Sequence, residues 1–245
     1  MPPVQLLVTC LVDALVPGVG EAVVEVLERR GLDVAFPEAQ TCCGQPAFNA
    51  GLSAEAARMA AHTVTVLDAT EGPIVVPSGS CTAFLVHHAP ELLAGEPEAE
   101  AAQRVAGRLR ELSLFLSDDL AEDVGMEAVE SVRVAWHPSC HGLRELGITD
   151  EPHRLLAGVE GVERVEIAGA DECCGFGGLF SVEMPEISAA ILRAKLDAIE
   201  ASGAEVIAGG DVSCLLHIGG GLRKRGSAVR VCHLAELLAG RAEGW

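Results

Sequence analysis

Tyrosine is absent from the 245-residue chain, which excludes any mechanism built on a tyrosine acid, base or radical. Positive charge is scarce: 17 Lys and Arg face 36 Asp and Glu, a net charge of −19. Nucleic acid and anionic membrane surfaces are bound through clustered Lys and Arg. No such patch occurs, so neither is an expected partner. No run of about 18 apolar residues is present, so no membrane insertion is expected. The segment from Met1 to Cys10 has no positive leader before its apolar stretch and meets Asp13 soon after. A secretory signal is not expected, and a cytoplasmic location is. The Gly-x-Ser-x-Gly elbow of serine hydrolases is missing. Gly18-Val-Gly20-Glu-Ala-Val23 falls short of a dinucleotide fingerprint, because Val23 replaces the third glycine and the motif starts well after the strand ends. Gly219-Gly-Gly221 reads as a turn. His62, His87 and His88 have no carboxylate at useful spacing and read as surface or helix-end residues.

What is plentiful is cysteine. Nine residues stand at 10, 42, 43, 81, 140, 173, 174, 214 and 232. An odd count without an export signal argues against a disulfide framework and for metal or thiol chemistry. A single buried cysteine is usually a small core residue, but the spacing here is a repeat. Cys10, Cys42, Cys43 and Cys81 recur as Cys140, Cys173, Cys174 and Cys214 at offsets of 130, 131, 131 and 133. Cys232 alone has no counterpart and reads as core. Flanking residues repeat as well: Val34–Pro37 matches Val165–Ala168, and Ile74–Cys81 matches Ile207–Cys214. Gly31 matches Gly161, each read as a glycine just past a helix. The chain is an internal duplication, divided here into residues 1–121 and 122–245.

Each half alternates short apolar strands with helices. Strands are expected at Val4–Thr9, Asp33–Phe36 and Ile74–Pro77, and again at Val132–Trp136, Val162–Ile167 and Glu205–Ala208. Helices are expected at Glu21–Arg30, from Ser53 towards Ala69, from the acidic stretch at Glu96 to about Leu116, and at Glu186–Ala201. Ser117–Asp123 reads as a solvated connector. The fold class is α/β, with two tandem Rossmann-like three-layer units. A pseudo-twofold axis should relate them, with the cysteine loops facing a common interface. In parallel sheets the loops at the carboxyl ends of strands converge on one crevice, and every paired cysteine falls in such a loop.

Four thiolates suit tetrahedral zinc or a [4Fe–4S] cluster. Isolated ligands some thirty to forty residues apart are unlike the paired knuckles of structural zinc sites. An adjacent Cys-Cys pair also suits an object several ångströms across. Gly44 and Gly175 supply the backbone freedom to aim both sulfurs of each pair at one object. Zinc remains the alternative, in a binding or scaffold subunit.

The stretches Thr41–Asn49, Pro77–Cys81, His137–Arg144, Glu172–Phe180 and Ser213–Gly220 cover most of the chain in order. They are similar to the cysteine-rich CCG domain of heterodisulfide reductase and related iron–sulfur oxidoreductase subunits. Closer still, the chain resembles the lactate-utilisation protein A group, also described as glycolate-oxidase iron–sulfur subunit-like. The resemblance implies iron–sulfur electron transfer within a three-protein cytoplasmic system that oxidises L-lactate to pyruvate. On that reading the eight repeated cysteines hold one or two clusters. His137, His141 and His217 are candidates to support them. The heterodisulfide reductase pattern closes each repeat with Cys-x-x-Cys, where this chain has Phe84 and His217. That departure argues against the non-cubane cluster and its disulfide-cleaving thiol–disulfide chemistry. With no flavin motif, the chain alone should not oxidise lactate.

Overall fold

The computed structural model describes residues 2–119 and 127–245. The expected boundary between residues 121 and 122 lies outside the described residues. Two four-stranded sheets are present, and every strand pair is parallel. The first holds β1 (Val4–Leu6), β2 (Val34–Ala35), β3 (Ile74–Val76) and β4 (Leu109–Glu111) in the order β2-β1-β3-β4. The second holds β5 (Val132–His137), β6 (Val162–Val165), β7 (Val206–Gly209) and β8 (Arg230–His233) in the order β6-β5-β7-β8. The two orders are the same. Gln5 pairs with Ile74 as Ala135 pairs with Ile207, so the registers correspond as well.

Strand alternation divides the core into three layers of contact. Leu6, Val75, Val134, Trp136, Val206, Ala208 and Cys232 point into one cluster shared by both halves. Ile74 and Val76 point instead to the outer helices of the first sheet, while Ala135, Ile207 and Val231 point to those of the second. Strands covered on both faces need continuous apolar runs, which is what β3 and β7 have. Cys232 is fully buried in the shared core, as a bystander should be.

The halves meet reciprocally. Helix Gly79–Ala83 of the first packs on helix Cys140–Arg144 of the second, and helix Val212–Arg225 of the second packs on helix Cys10–Leu15 of the first. The equivalent elements exchange partners, as a pseudo-twofold axis requires. A Cβ on Gly79 would lie 2.7 Å from Ser139 Oγ, so the first of these contacts depends on glycine. Asp211 fastens the centre. One carboxylate oxygen accepts from Ser78 Oγ at 3.1 Å and Ser80 N at 2.9 Å, while the other caps its own helix through Ser213 N at 3.1 Å.

Several expectations shift. The helix expected to reach Leu116 ends at Arg108 and gives way to β4, in which Leu109 and Glu111 are buried and Arg110 is exposed. Three residues of alternation are too few to separate strand from helix. β8 is likewise an addition to the expected strands. Gly31 does follow its helix at φ +74°, but Gly161 does not: it sits three residues beyond Gly158, at φ +93°, against the carbonyl of Val129. The Gly219–Gly221 run is no turn but part of helix Val212–Arg225. There the missing side chains admit Val231 at Gly219, and Leu192 and Leu196 at Gly221.

Candidate functional site

All eight repeated cysteines line one cavity of about 630 Å³ where the two halves meet. Cys10 and Cys140 open the short helices that follow the central strands β1 and β5. Cys81 and Cys214 lie in the first turns of the helices that follow β3 and β7, capped by Ser78 and Asp211. Each Cys-Cys pair sits on the loop after the edge strand and is turned by its glycine, Gly44 at φ +101° and Gly175 at φ +90°. A Cβ on Gly44 would lie 2.8 Å from the carbonyl oxygen of Ala56, and one on Gly175 2.7 Å from that of Ser188. Both turns thus rest directly on a helix backbone, which fixes where the sulfurs point.

The four sulfurs of each half form a contact chain. In the first, Cys43 Sγ lies 3.4 Å from Cys81 Sγ, and Cys42 is electrostatically coupled to the neighbouring thiols of Cys10 and Cys43. The second repeats it as Cys140, Cys173, Cys174 and Cys214. S–H donors on either side hold Cys42 and Cys173 well below the ordinary thiol range, as thiolates. Hydrogen bonding to those thiolates, with burial, pushes Cys10, Cys43, Cys140 and Cys174 up. Four sulfurs this close repel one another as thiolates; a soft cation or cluster among them removes that repulsion and takes all four. The donor set therefore fits such a group.

The histidines separate. His137, at the end of β5, is 1% exposed, and neither ring nitrogen has a hydrogen-bond partner within the protein. Burial lowers its pKa to about 4, and a ligating nitrogen lies within 4.8 Å of the sulfurs of Cys174 and Cys214. An orphaned buried ring beside two thiols is the strongest sign that something else belongs there. His141, by contrast, is committed elsewhere. Its Nε2 accepts from the Gln45 amide at 3.2 Å and its Nδ1 donates to Glu145 at 2.6 Å, so it joins the halves rather than serving a sulfur. His217 is half-buried, 3.4 Å from Ser188 Oγ and packed against Phe176. Among the histidines read as lacking a carboxylate, His88 finds Glu145 at 3.2 Å from the other half.

Two residues behind the second set were not singled out in the sequence. Lys195 is 1% exposed and donates from Nζ to the carbonyls of Gly169 and Ala170, at 2.8 and 3.0 Å, in the segment leading to Cys173. Its signal was a lysine on the apolar stripe Leu192-Lys195-Leu196-Ile199. Asp211 was visible only as the counterpart of Ser78, both of them capping residues.

Residues 4–86 and 134–219 each match the model of the CCG cysteine-rich domain. Over 241 residues the chain is 44% identical to a lactate utilization protein A of Exiguobacterium sp., covering 97% of both chains. A protein of the same name from Geobacillus kaustophilus is 47% identical over 240 residues, 97% of this chain and 99% of that one. The chain belongs to the lactate utilization protein A family. The relative of that name from Bacillus subtilis is 42% identical over 240 residues, again covering 97% and 99%. Among solved structures, a hypothetical protein from Helicobacter pylori superposes with a TM-score of 0.65 at 12% identity, over 100% of this chain and 50% of that one. This family member thus spans half the length of that protein, and the likeness is one of fold. No helix among the described residues is long and apolar enough to cross a membrane.

Proposed function

We propose that the chain is the iron–sulfur electron-transfer subunit of a cytoplasmic multi-protein system that oxidises L-lactate, or a similar 2-hydroxy acid such as glycolate, to the 2-oxo acid. The observation that carries this reading is the convergence of four thiols in each half on one shared cavity. Cys10, Cys42, Cys43 and Cys81 would hold one [4Fe–4S] cluster, and Cys140, Cys173, Cys174 and Cys214 a second. Such clusters supply one-electron storage and transfer. The protein's own part is to aim the sulfurs through the Gly44 and Gly175 turns and to shield one sulfur of each pair, since Cys43 and Cys174 are buried. Hydride removal from the 2-hydroxy acid falls to a partner, and two other lactate-utilisation proteins are the natural ones given the relatives' names. An apolar rim supports partner binding: Leu52, Leu179 and Val182 line the cavity yet are 52%, 39% and 73% exposed.

The test is anaerobic reconstitution with iron and sulfide, followed by L-lactate. Lactate-driven bleaching of the visible absorption should need both partner proteins. Lactate oxidation by this chain alone, or full coupled turnover in a Cys173→Ser, Cys174→Ser double variant, would overturn the proposal.

A further inference from the structure

The two cysteine sets are alike in their sulfurs and unlike in what stands behind them. Leu7 is the counterpart of His137 at the same offset of 130 that relates Cys10 to Cys140. Gly44 abuts Ala56 and Met59 as Gly175 abuts Ser188 and Ile191, so those helices are related by 132, and Lys195 stands where the first half has Thr63. Thr63 is neutral and donates to the carbonyl of Cys42 at 3.2 Å. At the offset of 133 that relates Cys81 to Cys214, His217 stands in place of Phe84. The first set is therefore backed by Leu, Thr and Phe; the second by His, Lys and His.

We infer that His137 and Lys195 make the C-terminal cysteine set the easier one to reduce, so that electrons pass from the N-terminal set to the C-terminal one. This rests on the iron–sulfur reading above. Reduction adds negative charge to a cluster and its sulfurs. A nearby cation or an N–H donor stabilises that state, and an apolar backing does not. His137 offers an otherwise unpartnered ring beside Cys174 and Cys214. Lys195 places a buried ammonium behind the loop of Cys173, where water screens it little. Asp171 and Glu172 act in the opposite sense but are exposed and screened. Asp211, a buried carboxylate that caps the Cys214 helix, also acts in the opposite sense, with its charge spread over hydrogen bonds from Ser78, Ser80 N and Ser213 N. In the transfer itself one electron leaves a reduced cluster on the first set and enters an oxidised cluster on the second, with no bond made or broken.

Potentiometric titration followed by electron paramagnetic resonance tests this on the full chain loaded with iron and sulfide. Two waves are expected. The higher should vanish in Cys173→Ser, Cys174→Ser and the lower in Cys42→Ser, Cys43→Ser. His137→Leu and Lys195→Met should each shift the higher wave downward by about tenfold in the reduction equilibrium, about 59 mV for one electron. The lower wave should stay in place as the internal control, and Lys195→Arg should restore the higher one. If Lys195→Met does not fold, His137→Leu carries the test. Coincident waves, the reverse order, or a substitution that moves the lower wave or neither would overturn the polarity while leaving the clusters standing. A protein that takes up no iron would overturn both.

Discussion

Set side by side, the two halves show which parts of a duplicated site tolerate change. The sulfurs, their glycine turns and the strand order recur, as one group held on four thiols in each half would demand. The residues behind the sulfurs do not recur. Nothing in the geometry of ligation requires Leu7 to match His137, or Thr63 to match Lys195. The same contrast appears at the ends of β4 and β8. Each strand runs into a helix capped by a buried side chain, Glu111 in the first half and His233 in the second. One position bears an acid and the other a base, so the halves should answer oppositely to pH.

The largest test of the equivalence is removal of one Cys-Cys pair at a time. Cys42→Ser, Cys43→Ser and Cys173→Ser, Cys174→Ser should each lose about half of the bound iron and sulfide, measured per chain, because four-thiolate sites do not survive on two. Loss of all metal from either variant would mean that the sets are not independent. Cys232→Ala should leave the metal content intact and cost only core packing, about 1 kcal/mol.

Next come the glycine turns. Gly44→Ala and Gly175→Ala force a side chain into positive φ and onto a helix carbonyl at 2.8 and 2.7 Å. Each should destabilise the protein by about 1–3 kcal/mol and lower metal content in its own half only, read by thermal melting and metal analysis. Smaller still is the junction. Asp211→Asn weakens the bonds to Ser78 and Ser80 N that join the halves and should cost about 0.5–1.5 kcal/mol.

The smallest effects are those of pH. Burial raises Glu111 to about 7, so between its unfolded value near 4.5 and pH 7 the native state binds more protons than the unfolded one. Stability should fall as pH rises through that window, and Glu111→Gln should flatten the fall. Burial lowers His233, so the unfolded state binds more protons below pH 6.5. Stability should fall there as pH falls, and His233→Asn should flatten that limb while keeping a capping side chain. Denaturant titrations across pH 4–8 check both signs.

Much of this was legible in the chain itself. The offsets set out two groups of four cysteines, which the fold brings to one cavity, and left Cys232 to the core, because the strand-end loops that carry the eight repeat as a unit. Three strands per half were readable from apolar runs. β4 and β8 were not: β4 is a three-residue strand following directly on a helix, and β8 begins with exposed Arg230. The roles of His137, His141 and Lys195 were also hidden, since all three depend on what the fold brings near them. His141 meets Gln45 from 96 residues away, and Lys195 meets carbonyls 25 and 26 residues back.

On the proposed reading each half holds an iron–sulfur cluster on its own four thiols. Iron, acid-labile sulfide and zinc should be counted per chain in protein purified without air, for the wild type and both Cys-Cys double variants. Brown protein is expected, with iron and sulfide that fall by about half in either variant. Colourless protein carrying zinc, or metal content unchanged when either pair is removed, would contradict it.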